Sequence, residues 1–175
     1  MATNETTARI SADRLRTFCT QVFVKLDVPE EDAYWTADVL VEANLRGVDS
    51  HGVARLKRYV DGLRTGVMLP RPQVAVVHET ATTALIDGGG GLGQPVGVRA
   101  MRLALEKAAA HGTGFVAVRN SNHYGIAGYY AMMALERGMI GLSMTNADVL
   151  VVPTFGRKAM LGTNPISVAA PAGEE

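Results

Sequence analysis

Apolar residues at Leu15, Phe18, Cys19, Val22 and Leu26 recur at three- and four-residue steps, the spacing of one buried helix face, and Ser11 stands where an N-cap belongs. Asp27-Val28-Pro29 ends that helix. Pro29 opens a second one, with Glu30, Glu31 and Asp32 in its first turn where the helix dipole favours carboxylates, and the pattern runs to about Arg46. The two predict a helical hairpin. Gly47 interrupts the pattern, and Asp49 or Ser50 can cap a third helix reaching Gly62 or Arg64. Residues 1–66 therefore read as an N-terminal helical segment.

Residues 67–175 read differently, as the N-terminal part of an α/β unit. After a proline-containing connector, Val74 to His78 and Ala84 to Asp87 are short apolar strands separated by a polar turn at Glu79 to Thr83. The glycine run Gly88 to Gly91 and Leu92-Gly93-Gln94-Pro95 lead into a helix from about Val96 to His111, closed by Gly112. The strand Phe115 to Val118, the helix Ile126 to Arg137 and the strand Met139 to Thr145 predict a βαβ unit whose strands are parallel neighbours with a right-handed crossover. Beyond a polar loop at Asn146 to Asp148, Val149 to Pro153 is extended. A turn at Gly162-Thr163-Asn164-Pro165 precedes a last strand, Ile166 to Ala170. The fold class is α/β: a helical segment followed by a mixed sheet with βαβ units.

Composition narrows the function classes without naming one. Seventeen Lys and Arg balance seventeen Asp and Glu, so no basic footprint for nucleic acid and no acidic tail is visible. The first residues lack the basic patch and apolar core of a signal peptide, and no apolar run is long enough to span a bilayer, which predicts a cytoplasmic protein with no membrane partner. The single cysteine, Cys19, falls in the helical apolar pattern and reads as a small buried hydrophobe. The four histidines have no mutual metal-ligand spacing, so no metal site is expected.

Chemistry concentrates in two stretches. Asn120-Ser121-Asn122-His123-Tyr124-Gly125 sets four polar side chains between an apolar strand and a helix, the strand-end position where α/β proteins place reactive groups. His123 is either an acid/base group or a histidine of a helix-capping turn. In the second stretch, His51, Arg55 and Tyr59 stand at i, i+4 and i+8, which on one helix lines up an imidazole, a guanidinium and a phenol. A guanidinium fork pairs with a carboxylate and a phenol adds a hydrogen bond; the alternative is a solvated basic face that includes Lys57 and Arg58. Gly91-Leu92-Gly93-Gln94-Pro95-Val96-Gly97 has a weak phosphate-turn spacing. No strand ending in an acidic residue follows it about 20 residues on, so a hinge or a loop over a ligand fits equally.

Four motifs in order, Arg46 to Gly52 with Arg55 and Tyr59, Asp87 to Gln94, Asn120 to Gly125, and Gly162 to Pro165, resemble the malate/L-lactate dehydrogenase family, which also holds ureidoglycolate, sulfolactate and diketogulonate dehydrogenases and cyclic-imine reductases. The resemblance implies a non-Rossmann fold and an oxidoreductase that moves hydride between NAD or NADP and a small 2-oxo or 2-hydroxy acid. It implies catalytic roles for His123, as acid/base, and for His51 and Ser50. Arg55 with Tyr59, Asn120, Thr163 and Asn164 would hold the small carboxylate substrate, and His51, Asp148 and Gly162 would approach the cofactor. An unperturbed imidazole near pH ~6.5 suits proton transfer in either direction.

Members of that family are about twice as long, so the resemblance also implies that the fold is incomplete without a C-terminal-half chain; the strand edge and apolar face left at the break predict association into an oligomer. Two alternatives stay open at this point, one of them a non-catalytic fragment or binding module. A processed two-chain amide hydrolase, needing no cofactor, could use the same scaffold with a nucleophile at the N-terminus of the second chain.

Overall fold

The computed structural model describes residues 9–173. Helices α1 (Ala12–Val24) and α2 (Glu30–Leu45) form the expected hairpin, turned at Asp27, whose φ of 63° lets the chain reverse before Pro29. Ser11 occupies the N-cap position of α1 but makes no side-chain cap bond. Asp38 ties three helices together: it accepts from Arg16 Nε of α1 at 2.6 Å and from the Tyr129 hydroxyl at 2.6 Å. Phe23, Leu40, Tyr59, Leu63, Met68 and Leu92 share one apolar cluster, so residues on both sides of position 66 belong to the same core. Cys19 is fully buried and its thiol is pushed up to about 11 by burial, which makes it a packing residue.

The third helix is not continuous. Asp49–His51 and Val53–Arg55 are two separate 3₁₀ turns, with Gly52 extended between them, and α-helix begins only at α3 (Leu56–Arg64). The cause is Asn44 on α2, whose Oδ1 accepts the Val53 N–H at 2.8 Å while its amide donates to Asp49. A Cβ on Gly52 would lie 2.3 Å from Asn44 Oδ1, so only glycine lets the turn close over that amide. The even spacing of His51, Arg55 and Tyr59 along one helix face is thereby overturned.

Strands β1 (Ala75–Glu79) and β2 (Thr83–Asp87) pair antiparallel, and β3 (Phe115–Arg119) adds parallel to β2. Helix α4 (Gly93–His111) is the crossover between β2 and β3, and Lys107 near its end pins the β1–β2 turn through Glu79 and the Thr80 carbonyl, both at 2.7 Å. The expected pairing of Phe115–Val118 with Met139–Thr145 is therefore wrong: β4 (Gly141–Met144) pairs antiparallel with β5 (Ile166–Ala169) in a second sheet. The strand beside β3 is β2, paired with it at five consecutive positions, and β4 instead finds its partner in β5, with four residue pairs in antiparallel register. Helix α5 (Ala127–Met132) is shorter than expected, and a 3₁₀ turn at Leu135–Arg137 finishes the segment.

One face of the β4–β5 ribbon is turned to α5, where Gly141 and Ser143 are buried. The other carries the cross-strand pairs Leu142 with Val168 and Met144 with Ile166, all between 47% and 69% exposed. Four large apolar side chains on one strand face are the pattern of a core layer. Among the described residues no helix is long and apolar enough to cross a membrane.

Candidate active site

His123 is held by backbone constraints from three directions. Asn122 donates its amide to the carbonyls of Gly90 and Gly91, at 3.0 and 2.9 Å, fastening the loop to the glycine run. Gly93 at the start of α4 lies so close that an added Cβ would stand 2.2 Å from the Asn122 carbonyl oxygen and 2.6 Å from that of His123. Gly125, at φ 86°, turns the chain where a Cβ would strike Val39 of α2.

The glycine run is scaffold. The N–H groups of Gly88, Gly89, Gly90 and Gly91 donate to the Arg119 carbonyl, Asp87 Oδ1, the Asn120 carbonyl and the Gly88 carbonyl, at 2.9 to 3.0 Å. Within Gly88 to Gly91 no amide is left to cradle a phosphate. Asn120 belongs to the same scaffold: at φ 50° its amide donates to Asp87 Oδ1 at 2.9 Å, beside Arg119 on the other carboxylate oxygen at 3.0 Å.

Three rings meet at the site although their carriers are not one helix. The Tyr59 hydroxyl and His123 Nδ1 are 2.7 Å apart, and the His51 ring stacks on His123 with centroids 5.6 Å apart and planes inclined by 22°. Gly125 N–H reaches the same Nδ1 at a long 3.4 Å. Ser50 Oγ lies 3.0 Å from His51 Nδ1, and Arg55 Nε donates to the Ser50 carbonyl at 2.7 Å, so the two turns carry Ser50, His51 and Arg55 as one unit. Tyr59 was expected beside Arg55 on a carboxylate. It is instead fully buried against Phe23, with its hydroxyl engaged by the imidazole.

Charge around the site is positive. Burial, then Arg58, His51 and Arg55, pull His123 down to about 4, and Asp148 opposes them. His51 is lowered by burial and by the same two arginines, while burial pushes the Tyr59 phenol up to about 12. At neutral pH the imidazoles and the phenol are therefore uncharged, with the guanidinium groups of Arg55 and Arg58 the nearby positive charges. Arg58, which the sequence placed with a solvated face, is the largest charge acting on His123.

The remaining expected residues sit on the β4–β5 side. Asn164, at φ 41°, accepts the Ala147 N–H at 2.9 Å, and a Cβ on Gly162 would lie 2.4 Å from the Ala147 carbonyl oxygen. These contacts shape the loop that carries Asp148, whose carboxylate comes to 4.0 Å from Arg58. Thr163 is exposed in the same turn. Two residues the sequence did not single out complete the picture: Asn44, which shapes the Ser50 to Arg55 turns, and Gln94, fully buried in the first turn of α4 with neither amide atom hydrogen-bonded among the described residues.

The chain belongs to the malate/L-lactate dehydrogenase family, whose model covers residues 10–175. Among individual relatives, it is 57% identical over 172 residues to malate dehydrogenase of Pyrococcus horikoshii, covering 98% of this chain and 48% of that protein. It is 49% identical over 148 residues to L-sulfolactate dehydrogenase of Methanocaldococcus jannaschii, covering 85% of this chain and 43% of that one. The solved structure of the Pyrococcus horikoshii malate dehydrogenase superposes with a TM-score of 0.95 at 56% identity, covering 100% of this chain and 50% of that one. The chain thus spans about half the length of the curated relatives it matches.

Proposed function

We propose that this chain is the substrate-binding and proton-transferring half of a nicotinamide-dependent oxidoreductase that interconverts a small 2-oxo acid and its 2-hydroxy acid. The observation that carries the reading is the contact of His123 with Tyr59 and His51 under the arginines at 55 and 58. His123 gives a proton to the carbonyl oxygen or takes it from the hydroxyl. Arg55, supported by Arg58, holds the carboxylate. Tyr59 serves His123 and not the carboxylate, because it is buried beneath the ring. Ser50 fixes His51 beside the reacting centre.

The residues present fit one end of the cofactor. His51 offers a flat ring, Asp148 an exposed carboxylate able to accept from an amide or a ribose hydroxyl, and Gly162 a close backbone approach. NADH or NADPH bound there would supply hydride to the carbonyl carbon. The spent amides of the glycine run leave the pyrophosphate to the remainder of the fold, which also covers Leu142, Met144, Ile166 and Val168 in this reading.

Malate and sulfolactate dehydrogenases among the relatives support a substrate with a second anionic group, which a second arginine suits. No observation favours the amide-hydrolase alternative. The direct test follows nicotinamide absorbance as the complete protein is mixed with NADH or NADPH and a panel of 2-oxo acids. Loss of absorbance with a 2-oxo dicarboxylate or sulfonate is expected, and no turnover of any 2-oxo acid with either cofactor would contradict the proposal.

A further inference from the structure

Arg55 and Arg58 stand three residues apart where α3 begins, neighbours on one helix surface, yet their guanidinium groups are held very differently. Arg55 is committed on one side: its Nε donates to the Ser50 carbonyl at 2.7 Å, which keeps it beside Ser50 and His51. Lys57, between them, is paired with Asp61 and offers no free charge. Arg58 has no such anchor. Among the described residues its guanidinium finds no hydrogen-bond acceptor, and its one ion pair is with Asp148, at 4.0 Å, too long for a hydrogen bond.

Asp148 reaches that pair from the opposite wall. It lies in the loop after β4, whose backbone is fastened at Ala147: the N–H there donates to Asn164 Oδ1 at 2.9 Å, and the carbonyl packs against Gly162. The Arg58 side chain is 43% exposed and that of Asp148 79%, so the pair faces solvent, where an ion pair is worth a few-fold at most. Both charges also reach His123, which sets the pair at the rim of the site. An incoming carboxylate or sulfonate offers oxygens to donors that Asp148 leaves unused, and a charged hydrogen bond is worth roughly ten- to a hundredfold in affinity. The comparison favours the incoming anion over Asp148.

We propose that Arg58 sets the substrate class: it binds the distal anionic group of a 2-oxo dicarboxylate or sulfonate while Arg55 holds the carboxylate beside the carbonyl, and Asp148 is the counter-ion that the distal group displaces. An acid without a second anion leaves Arg58 with Asp148 and gains only the general attraction of its charge. Selectivity thus comes from an exchange of partners at one guanidinium, with Asp148 swinging toward solvent as the substrate enters. The proposal rests on the oxidoreductase reading and divides the work of the two arginines within it.

The test compares oxaloacetate with 2-oxobutyrate, four-carbon acids that differ in whether the far end is a carboxylate or a methyl group. Calorimetric binding to the complete protein without cofactor, and KM with it, are measured for wild type, Arg58→Gln, Asp148→Asn and the double variant. Wild type should prefer oxaloacetate by roughly ten- to a hundredfold, the worth of one charged hydrogen bond. Arg58→Gln should erase most of that preference by weakening oxaloacetate, with a smaller change for 2-oxobutyrate. Asp148→Asn should strengthen oxaloacetate a few-fold, and should add nothing in the Arg58→Gln background, because it acts only through Arg58. Equal weakening of both acids by Arg58→Gln, or the absence of a preference in wild type, would overturn the proposal. So would an Asp148→Asn effect of the same size with and without Arg58. An Arg58-dependent preference in binding, from a protein that reduces neither acid, would support the division between the arginines and remove the oxidoreductase reading instead.

Discussion

Gly93→Ala isolates the geometry of the site from its chemistry. The new methyl would lie 2.2 Å from the Asn122 carbonyl oxygen and 2.6 to 2.7 Å from the His123 carbonyl. These are backbone atoms, so no side chain can swing away. A relaxed carbon-to-carbonyl contact is roughly 3.3 Å, so the His123 loop and the start of α4 must part by about 1 Å. Overpacking of this kind costs about 1–3 kcal/mol, against a helix-propensity gain of up to about 1 kcal/mol for replacing glycine. The net loss of stability is thus modest, a melting temperature lowered by several degrees. With His123 as the proposed acid/base group the effect on catalysis is larger, because a displacement of about 1 Å at a reacting group costs roughly a hundredfold in rate. Paired thermal melts and steady-state turnover of the complete protein measure both. A variant that melts near wild type and turns over within about twofold of it would refute the argument that this contact holds His123 in register.

Other expectations follow from the same contacts. Arg55→Ala should raise KM for the 2-oxo acid roughly ten- to a hundredfold with a smaller change in kcat, since one charged hydrogen bond is worth about 1.5–3 kcal/mol; an unchanged KM would remove Arg55 from the carboxylate. His123, drawn down to about 4, is neutral through the physiological range. Its base form is therefore present above about 4, so kcat/KM for hydroxy-acid oxidation should be level there and fall below. For reduction, kcat/KM should decline about tenfold per unit as pH rises past that value. A limb near the unperturbed ~6.5 in either profile would show that the arginines and burial do not act as described. Asn44→Ala leaves the Val53 N–H without its acceptor and should cost about 1–3 kcal/mol in a denaturant melt, with turnover lowered through Ser50 and His51; unchanged stability would mean that the two turns hold themselves.

Local pattern reveals α1, α2, α4 and the β1–β2 hairpin because each is written in short-range periodicity and punctuation. What the pattern hides is long-range. The pairing of β3 with β2 and of β4 with β5 joins segments separated by a helix or a loop, and strand spacing alone favours the nearest candidate, the wrong one here. The break at Gly52 is imposed by an amide on α2, which no count along residues 49–64 detects. The site shows the same division. His123 is legible as a histidine in a strand-end loop, but the burial of Tyr59, the reach of Arg58 and the unpartnered amide of Gln94 appear only once α2, α3 and α4 are packed. Motif resemblance named residues across that gap, and the structure places one of them, Tyr59, in contact with His123 and not beside Arg55.

The most direct test of the central assignment is the steady-state kinetics of His123→Ala in the complete protein, on whichever 2-oxo acid the proposed panel assay identifies. If His123 is the acid/base group proposed, its removal should lower kcat by about 10²–10⁴-fold while KM stays near wild type, because the arginines proposed to hold the carboxylate are untouched. A variant with full kcat would contradict the account.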